Sequence, residues 1–132
     1  MGYAAASPKI IETIEKSRGP FKLNMIAERA AVEAMTTDAA WVAAHVAEAI
    51  ASRDKLAREL RAMGFTPIPS VANFLLVPTP DAFALASALR AGGIAVRPFR
   101  GLRRIGDAFR ITAGPWPVME RALTLLRAAK QS

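Results

Sequence analysis

The sequence predicts an α+β fold in which a small, mainly antiparallel sheet of about three strands is covered by helices and preceded by long helices. Two observations support this. In the first half of the chain, apolar residues recur at three- and four-residue steps, which is typical of helices. In the second half, short runs of β-branched and aromatic residues alternate with such helical patterns. The predicted order is helix, helix, helix, strand, helix, strand, strand, helix.

The first half is predicted to contain three helices, over residues 7–17, 22–35 and 39–63. Ser7 and Pro8 suit the start of the first helix, and Gly19-Pro20 ends it. Gly64 ends the third helix, which is the longest. Its repeating stripe comprises Val42, Val46, Ile50, Arg53, Leu56, Leu60 and Met63.

The second half is predicted to contain the sheet. The strongest strand is predicted over residues 71–77, between prolines, and a short one over 94–97, ended by Pro98. Between them lies a helix over residues 81–91. Residues 99–106 are expected to form a basic loop, followed by a strand that carries Arg110. Pro117 opens the last helix.

Composition excludes several kinds of site. The chain of 132 residues has no cysteine and a single histidine, so disulfides, thiol catalysis and histidine-based metal sites are excluded. Hydrophobic residues make up 52% of the chain, more than one small core needs, which indicates a partner surface for an oligomer or a further domain. No apolar run is long enough for a bilayer and the first residues lack a secretory pattern, so we expect no membrane and a cytoplasmic location.

The net charge of +7 raises phosphate groups or nucleic acid as partners. Four arginines cluster in the predicted basic loop and just before it: Arg97, Arg100, Arg103 and Arg104. Only Phe99 interleaves with them, so no stacking platform for single strands is evident and nucleic acid is not the expected partner. A small basic α+β module that binds phosphate or nucleic acid remains the alternative function, beside a merely solvated loop.

Arg110 is the most informative single residue. It alternates with Phe109 and Ile111, so the strand carries a guanidinium on one face and apolar side chains on the other. A guanidinium fixed on a strand can bind both oxygens of a carboxylate or phosphate; otherwise it is solvated or paired with an acid. Asn73, polar within an apolar strand, is either a structural tie or a site residue.

Several phrases occur in a fixed order: Gly2-Tyr3-Ala4, Gly19-Pro20-Phe21 with Asn24, Ser70 to Leu75, Gly93 to Phe99, and Phe109 to Gly114. Together they resemble the C-terminal, small domain of class I/II, fold-type-I aminotransferases, which depend on pyridoxal phosphate. The histidinol-phosphate aminotransferases are most similar, followed by threonine-phosphate decarboxylases of the same fold.

The resemblance implies that Arg110 binds the α-carboxylate of an amino-acid or 2-oxo-acid substrate, and that Arg97 contacts substrate or ties its loop. It also implies a cytoplasmic, dimeric transaminase of histidine biosynthesis and amino-acid metabolism. Residues 1–35 would then connect to a missing large domain, and residues 36–132 would form the small domain.

The family's Schiff-base lysine lies upstream of the phrase matched by Gly2-Tyr3, and no lysine here matches it. We therefore expect a fragment without catalytic, cofactor-binding or metal-binding residues of its own, inactive alone and without covalently bound cofactor. A natural standalone small domain, acting as a partner or scaffold, is the remaining alternative.

Overall fold

A computed structural model describes residues 5–19 and 23–131. The elements follow the predicted order: α1 (Pro8–Ser17), α2 (Met25–Thr36), α3 (Ala39–Ala62), β1 (Phe74–Pro78), α4 (Ala82–Ala91), β2 (Arg97–Leu102), β3 (Gly106–Thr112) and α5 (Trp116–Gln131). The predicted α+β class with a three-stranded antiparallel sheet is confirmed. No helix within the described ranges is both long enough and apolar enough to cross a membrane.

The chain divides into two compact units, residues 1–44 and 45–132. In the first unit, α1 and α2 bury none of their described residues. The predicted start of the second helix at residue 22 is wrong, because α2 begins at Met25. The Asn24 side chain accepts a hydrogen bond from the backbone N–H of Ile26 at 2.8 Å and so caps the helix. The phrases Gly2-Tyr3-Ala4 and Pro20-Phe21 lie outside the described residues.

The second unit contains the sheet, whose strand order is β1-β3-β2. One sheet face packs against helices, as side chains from β1 and β3 join α3, α4 and α5 in one apolar cluster. Its fully buried large members are Phe109, Leu56, Leu60, Leu89, Ile111, Leu123, Leu126 and Val77. The face that carries Arg110 is the more open one, since side chains alternate along a strand.

Two strand predictions need correction. The predicted strand 71–77 begins only at Phe74, and Val71 is fully exposed, because residues 71–73 form a bend. The predicted strand over 94–97 is shifted along the chain, and the predicted basic loop is largely strand: residues 94–96 are not in a strand, whereas β2 starts at Arg97, passes through Pro98 and continues to Leu102. Pro98 does not end the strand because β2 is a sheet edge, where a missing N–H can face outward.

Candidate functional site

The open sheet face places two arginines opposite each other. In the β2–β3 ladder Arg97 is the direct partner of Arg110, and on the other side of Arg110 lies Leu76 of β1. Directly opposite residues of an antiparallel pair have Cβ atoms about 4.5–5.5 Å apart. The fold thus brings together the two arginines singled out in the sequence, which are thirteen positions apart along the chain.

Each of these guanidinium groups contacts an aromatic ring. The Arg110 guanidinium carbon lies 5.1 Å from the centre of the Phe74 ring, and that of Arg97 lies 5.1 Å from the centre of the Phe99 ring. Both distances fall within the range of cation–π attraction. Arg110 is half-buried, whereas Arg97 at the sheet edge is exposed. The rings therefore restrict where the two cations can lie.

Neither arginine is neutralised by an acid within the described ranges 5–19 and 23–131. The ion pairs found there join other residues, for example Arg53 with Asp54 and Arg127 with Glu59. The one acid of the hairpin, Asp107, accepts a 2.8 Å hydrogen bond from the backbone N–H of Gly101. Two unneutralised cations in register on one face have the chemistry to bind an anion.

The basic cluster seen in the sequence is dispersed by the fold. Arg97 lies on the open face, but Arg100 contacts Phe83 of α4, with 4.6 Å from its guanidinium carbon to the ring centre. Arg103 and Arg104 are exposed in the hairpin turn, where Arg104 has a φ of 65°. The four arginines that cluster in the sequence thus lie in different settings, which weakens the alternative of nucleic-acid binding.

Asn73 lies outside the strand that it was predicted to interrupt. Its side chain is exposed, and its backbone carbonyl accepts a 2.8 Å hydrogen bond from the N–H of Ala113. A backbone tie is therefore present at this position, although the amide side chain does not provide it.

Ser52 is a further residue with a contact across the fold, and it was not among the predicted site residues. Its side chain is buried in α3, and its hydroxyl donates a 2.6 Å hydrogen bond to the carbonyl of Gly114, just beyond β3. The available signal was a four-residue spacing, because Ser52 precedes Leu56 and Leu60 on one helix face.

The comparisons with known proteins identify the family. The model of the family "Aminotransferase class I and II" matches residues 1–126, so the chain belongs to this family. The curated relatives include histidinol-phosphate aminotransferase 2 of Gluconobacter oxydans, which is 39% identical over 132 residues and matches 96% of this chain. Histidinol-phosphate aminotransferase of Pseudomonas putida is 37% identical and matches 93% of the chain.

The match covers only 37% and 36% of the two relatives, so the chain spans about a third of their length. This confirms the prediction of a C-terminal part of such a protein.

Solved structures show the same fold. Histidinol-phosphate aminotransferase from Sinorhizobium meliloti, determined in complex with pyridoxal-5'-phosphate, matches 94% of this chain and 34% of its own with a TM-score of 0.81. At 23% identity this likeness concerns the fold alone. An aminotransferase from Mycobacterium tuberculosis, 29% identical, matches 78% of this chain and 30% of its own with a TM-score of 0.61.

Proposed function

We propose that this chain forms the part of a transaminase active site that binds the anionic group of the substrate. Arg110 is the main ligand for the α-carboxylate, and Arg97 is the second cation. The observation that carries the proposal is the direct register of Arg97 with Arg110 on the open sheet face.

The energetics of a sheet support this role. Like charges directly opposite each other destabilise an antiparallel pair. An anion bound between the two arginines attracts both of them, which offsets their mutual repulsion. It also accepts charge-assisted hydrogen bonds from both. Holding the substrate by its anion also orients its reacting carbon, and such positioning accounts for a large part of a transfer reaction's rate.

In the parent enzyme the reaction would transfer an amino group from an amino acid to a 2-oxo acid or a phosphorylated carbonyl compound. Similarity to histidinol-phosphate aminotransferases supports this reaction and a place in histidine biosynthesis. Pyridoxal phosphate, when bound, supplies the electron sink for such chemistry.

Three of the four lysines in the described residues, all but the exposed Lys9, do not fit covalent attachment of that cofactor. Lys55 has its ammonium 3.6 Å from the centre of the Trp116 ring, Lys16 pairs with Glu12, and Lys130 donates to the carbonyl of Met63. A Schiff-base lysine is a desolvated amine in a pocket, and none of these three lysines has that setting. We propose that the rest of the parent protein holds the cofactor and that this chain alone is inactive.

Exposed apolar side chains support a further contact surface. In the first unit they include Ile14, Leu23, Met25, Ile26 and Met35. We propose that the large domain of the parent or a second copy covers such surface in a cytoplasmic dimer, with residues 1–35 connecting to the large domain and 36–132 forming the small one.

The decisive experiment is Arg110→Ala in the complete parent enzyme. Losing a charge-assisted hydrogen-bond pair should lower kcat/KM for amino-acid substrates by about 10- to 100-fold. Amines that lack the carboxylate should be affected little. Arg100→Ala is the matched control, because Arg100 is an exposed arginine that contacts α4 instead of facing Arg110. Equal losses for both kinds of substrate would contradict the assignment.

Assays of the complete parent enzyme also distinguish a transaminase from the decarboxylase alternative. A transaminase requires a 2-oxo acid or carbonyl acceptor and releases no carbon dioxide. A threonine-phosphate decarboxylase-like parent would release carbon dioxide without an acceptor, and this result would replace the proposed reaction.

A further inference from the structure

The paired ends of β1 and β3 are both attached to α3 through two consecutive residues. The Ser52 hydroxyl donates to the carbonyl of Gly114 at 2.6 Å, and the Arg53 guanidinium donates to the carbonyl of Ala72 at 3.3 Å. Gly114 follows β3, and Ala72 precedes β1. Both side chains are largely withdrawn from solvent, since Ser52 is 7% exposed and the Arg53 side chain 13%.

The two attachment points are neighbours across the ladder. Between them the Ala113 N–H donates to the Asn73 carbonyl at 2.8 Å, which extends the register by one pair beyond Phe74 and Thr112. One helical turn therefore anchors both strands where their pairing ends. This restrains the ladder end against sliding and twisting relative to the helix.

The anchored end carries the aromatic contact of the proposed anion ligand. The Phe74 ring is the one that lies 5.1 Å from the guanidinium of Arg110. It belongs to the first residue of β1, two positions after Ala72. Arg110 itself lies four residues before Gly114 on the other anchored strand. A shift of either strand end would thus change where Arg110 and Phe74 meet.

We propose that Ser52 and Arg53 are positioning residues for Arg110, which fix its guanidinium by anchoring the ends of both strands to α3. This inference rests on the proposed function, because it concerns the precision of the same anion site. Hydrogen bonds to part-buried backbone carbonyls suit this task because they fix the path of the chain, and the charge that Arg53 brings is paired with Asp54.

The test uses the 132-residue chain labelled with nitrogen-15 and inorganic phosphate as the probe. The Nε–Hε signal of Arg110 and the ring-current shift from Phe74 report the position of the guanidinium without any ligand. Ser52→Ala should move or broaden this signal and weaken phosphate binding about fivefold, the effect of one lost hydrogen bond. Ser52→Thr, which keeps the hydroxyl, should restore both values.

Arg53→Met provides a second variant that keeps apolar length but removes the donors, and we expect the same direction of change. Ser87→Ala is the matched control for removing an exposed helical hydroxyl. Leu60→Val is the control for stability, because Leu60 is fully buried at the far end of the same helix. It should lower the melting temperature without moving the Arg110 signal.

The outcomes separate the two proposals. An unchanged Arg110 signal in both Ser52→Ala and Arg53→Met, or an equal change in Leu60→Val, would overturn the positioning role. Absence of phosphate binding by the unaltered chain would instead count against the anion site. The positioning role would then be decided by the Arg110 signal alone.

Discussion

Arg97 and Arg110 show how a site can oppose stability at the scale of single residues. Two guanidinium groups in register on neighbouring strands repel each other, and the described residues place no carboxylate between them. Sites that bind charged ligands commonly keep such strain because the ligand relieves it. The pairing of β2 with β3 should therefore be less stable without a bound anion than with one.

Arg97→Thr tests this balance. Threonine suits a strand and removes one of the two charges, so the free energy of unfolding at low salt should rise by a few tenths of a kcal/mol. At the same time the rise in melting temperature on adding phosphate should shrink, because a ligand stabilises only through the sites that bind it. Arg103→Thr in the hairpin turn is the control, and an undiminished phosphate effect in Arg97→Thr would contradict the pairing.

Gly92 is a second residue whose identity the packing explains. A Cβ added there would lie 2.4 Å from Cδ1 of Leu125, although the backbone φ of −82° suits any residue. The glycine thus lets the end of α4 approach α5 closely. Gly92→Ala should lower the free energy of unfolding by about 1–3 kcal/mol, measured by urea denaturation.

The double variant with Leu125→Ala checks the cause of that loss. If the clash is responsible, the two changes should be markedly less than additive, because the second removes the atoms that the new methyl group meets. Simple additivity would mean that another effect dominates.

At the scale of elements, α3 has two halves with different roles. Its predicted stripe is continuous in the sequence, yet Leu56 and Leu60 are fully buried while Val46 and Ile50 are 53% and 44% exposed. Only the second half packs on the core of the sheet unit. The first half retains an apolar face that periodicity alone would assign to a core.

The substitutions Leu60→Ala and Ile50→Ala test whether the two halves of α3 contribute differently to stability. Leu60→Ala should cost about 2–5 kcal/mol of unfolding free energy, because it empties a filled core position. Ile50→Ala should change the stability of the isolated chain by no more than about 0.5 kcal/mol, as for other surface substitutions. Chemical denaturation of both variants measures this, and a large loss at Ile50 would show that its face is covered in the isolated chain.

The strand boundaries are the part of the fold that could not be predicted correctly from the sequence. Val71 and Ala72 look like strand residues by composition, but α3 holds the Ala72 carbonyl through Arg53, and the paired strand begins only at Phe74. Local composition predicts a strand end at Pro98, but the strand continues through this residue because β2 lies at the sheet edge, and the edge position depends on which strands pair. Both errors concern partners distant along the chain, which local propensity does not contain.

At the scale of the whole molecule, we expect this chain to hold only part of a set of catalytic groups. It spans about a third of its curated relatives, and three of its four described lysines, Lys16, Lys55 and Lys130, are engaged with an acid, a ring or the backbone. We propose that it contributes anion-binding groups on a sheet, and that another part of the parent protein holds the cofactor.

We therefore expect the isolated chain to show no transaminase turnover with pyridoxal phosphate. Borohydride reduction followed by mass spectrometry should find only scattered, substoichiometric lysine modification, of the level seen in an unrelated lysine-containing protein. A stoichiometric adduct at one lysine would show that the chain holds a cofactor site of its own.

The sequence alone determined the class of fold, the order of the elements and the family, because periodicity, capping residues and ordered phrases are local properties of the chain. It also singled out Arg110 and Arg97 as separate residues. Only the tertiary structure decided that they lie opposite each other, that the basic cluster is divided, and that Ser52 and Arg53 anchor the strands. The physical reason is that register and helix–strand contacts join residues far apart in sequence, and packing of the whole core selects them.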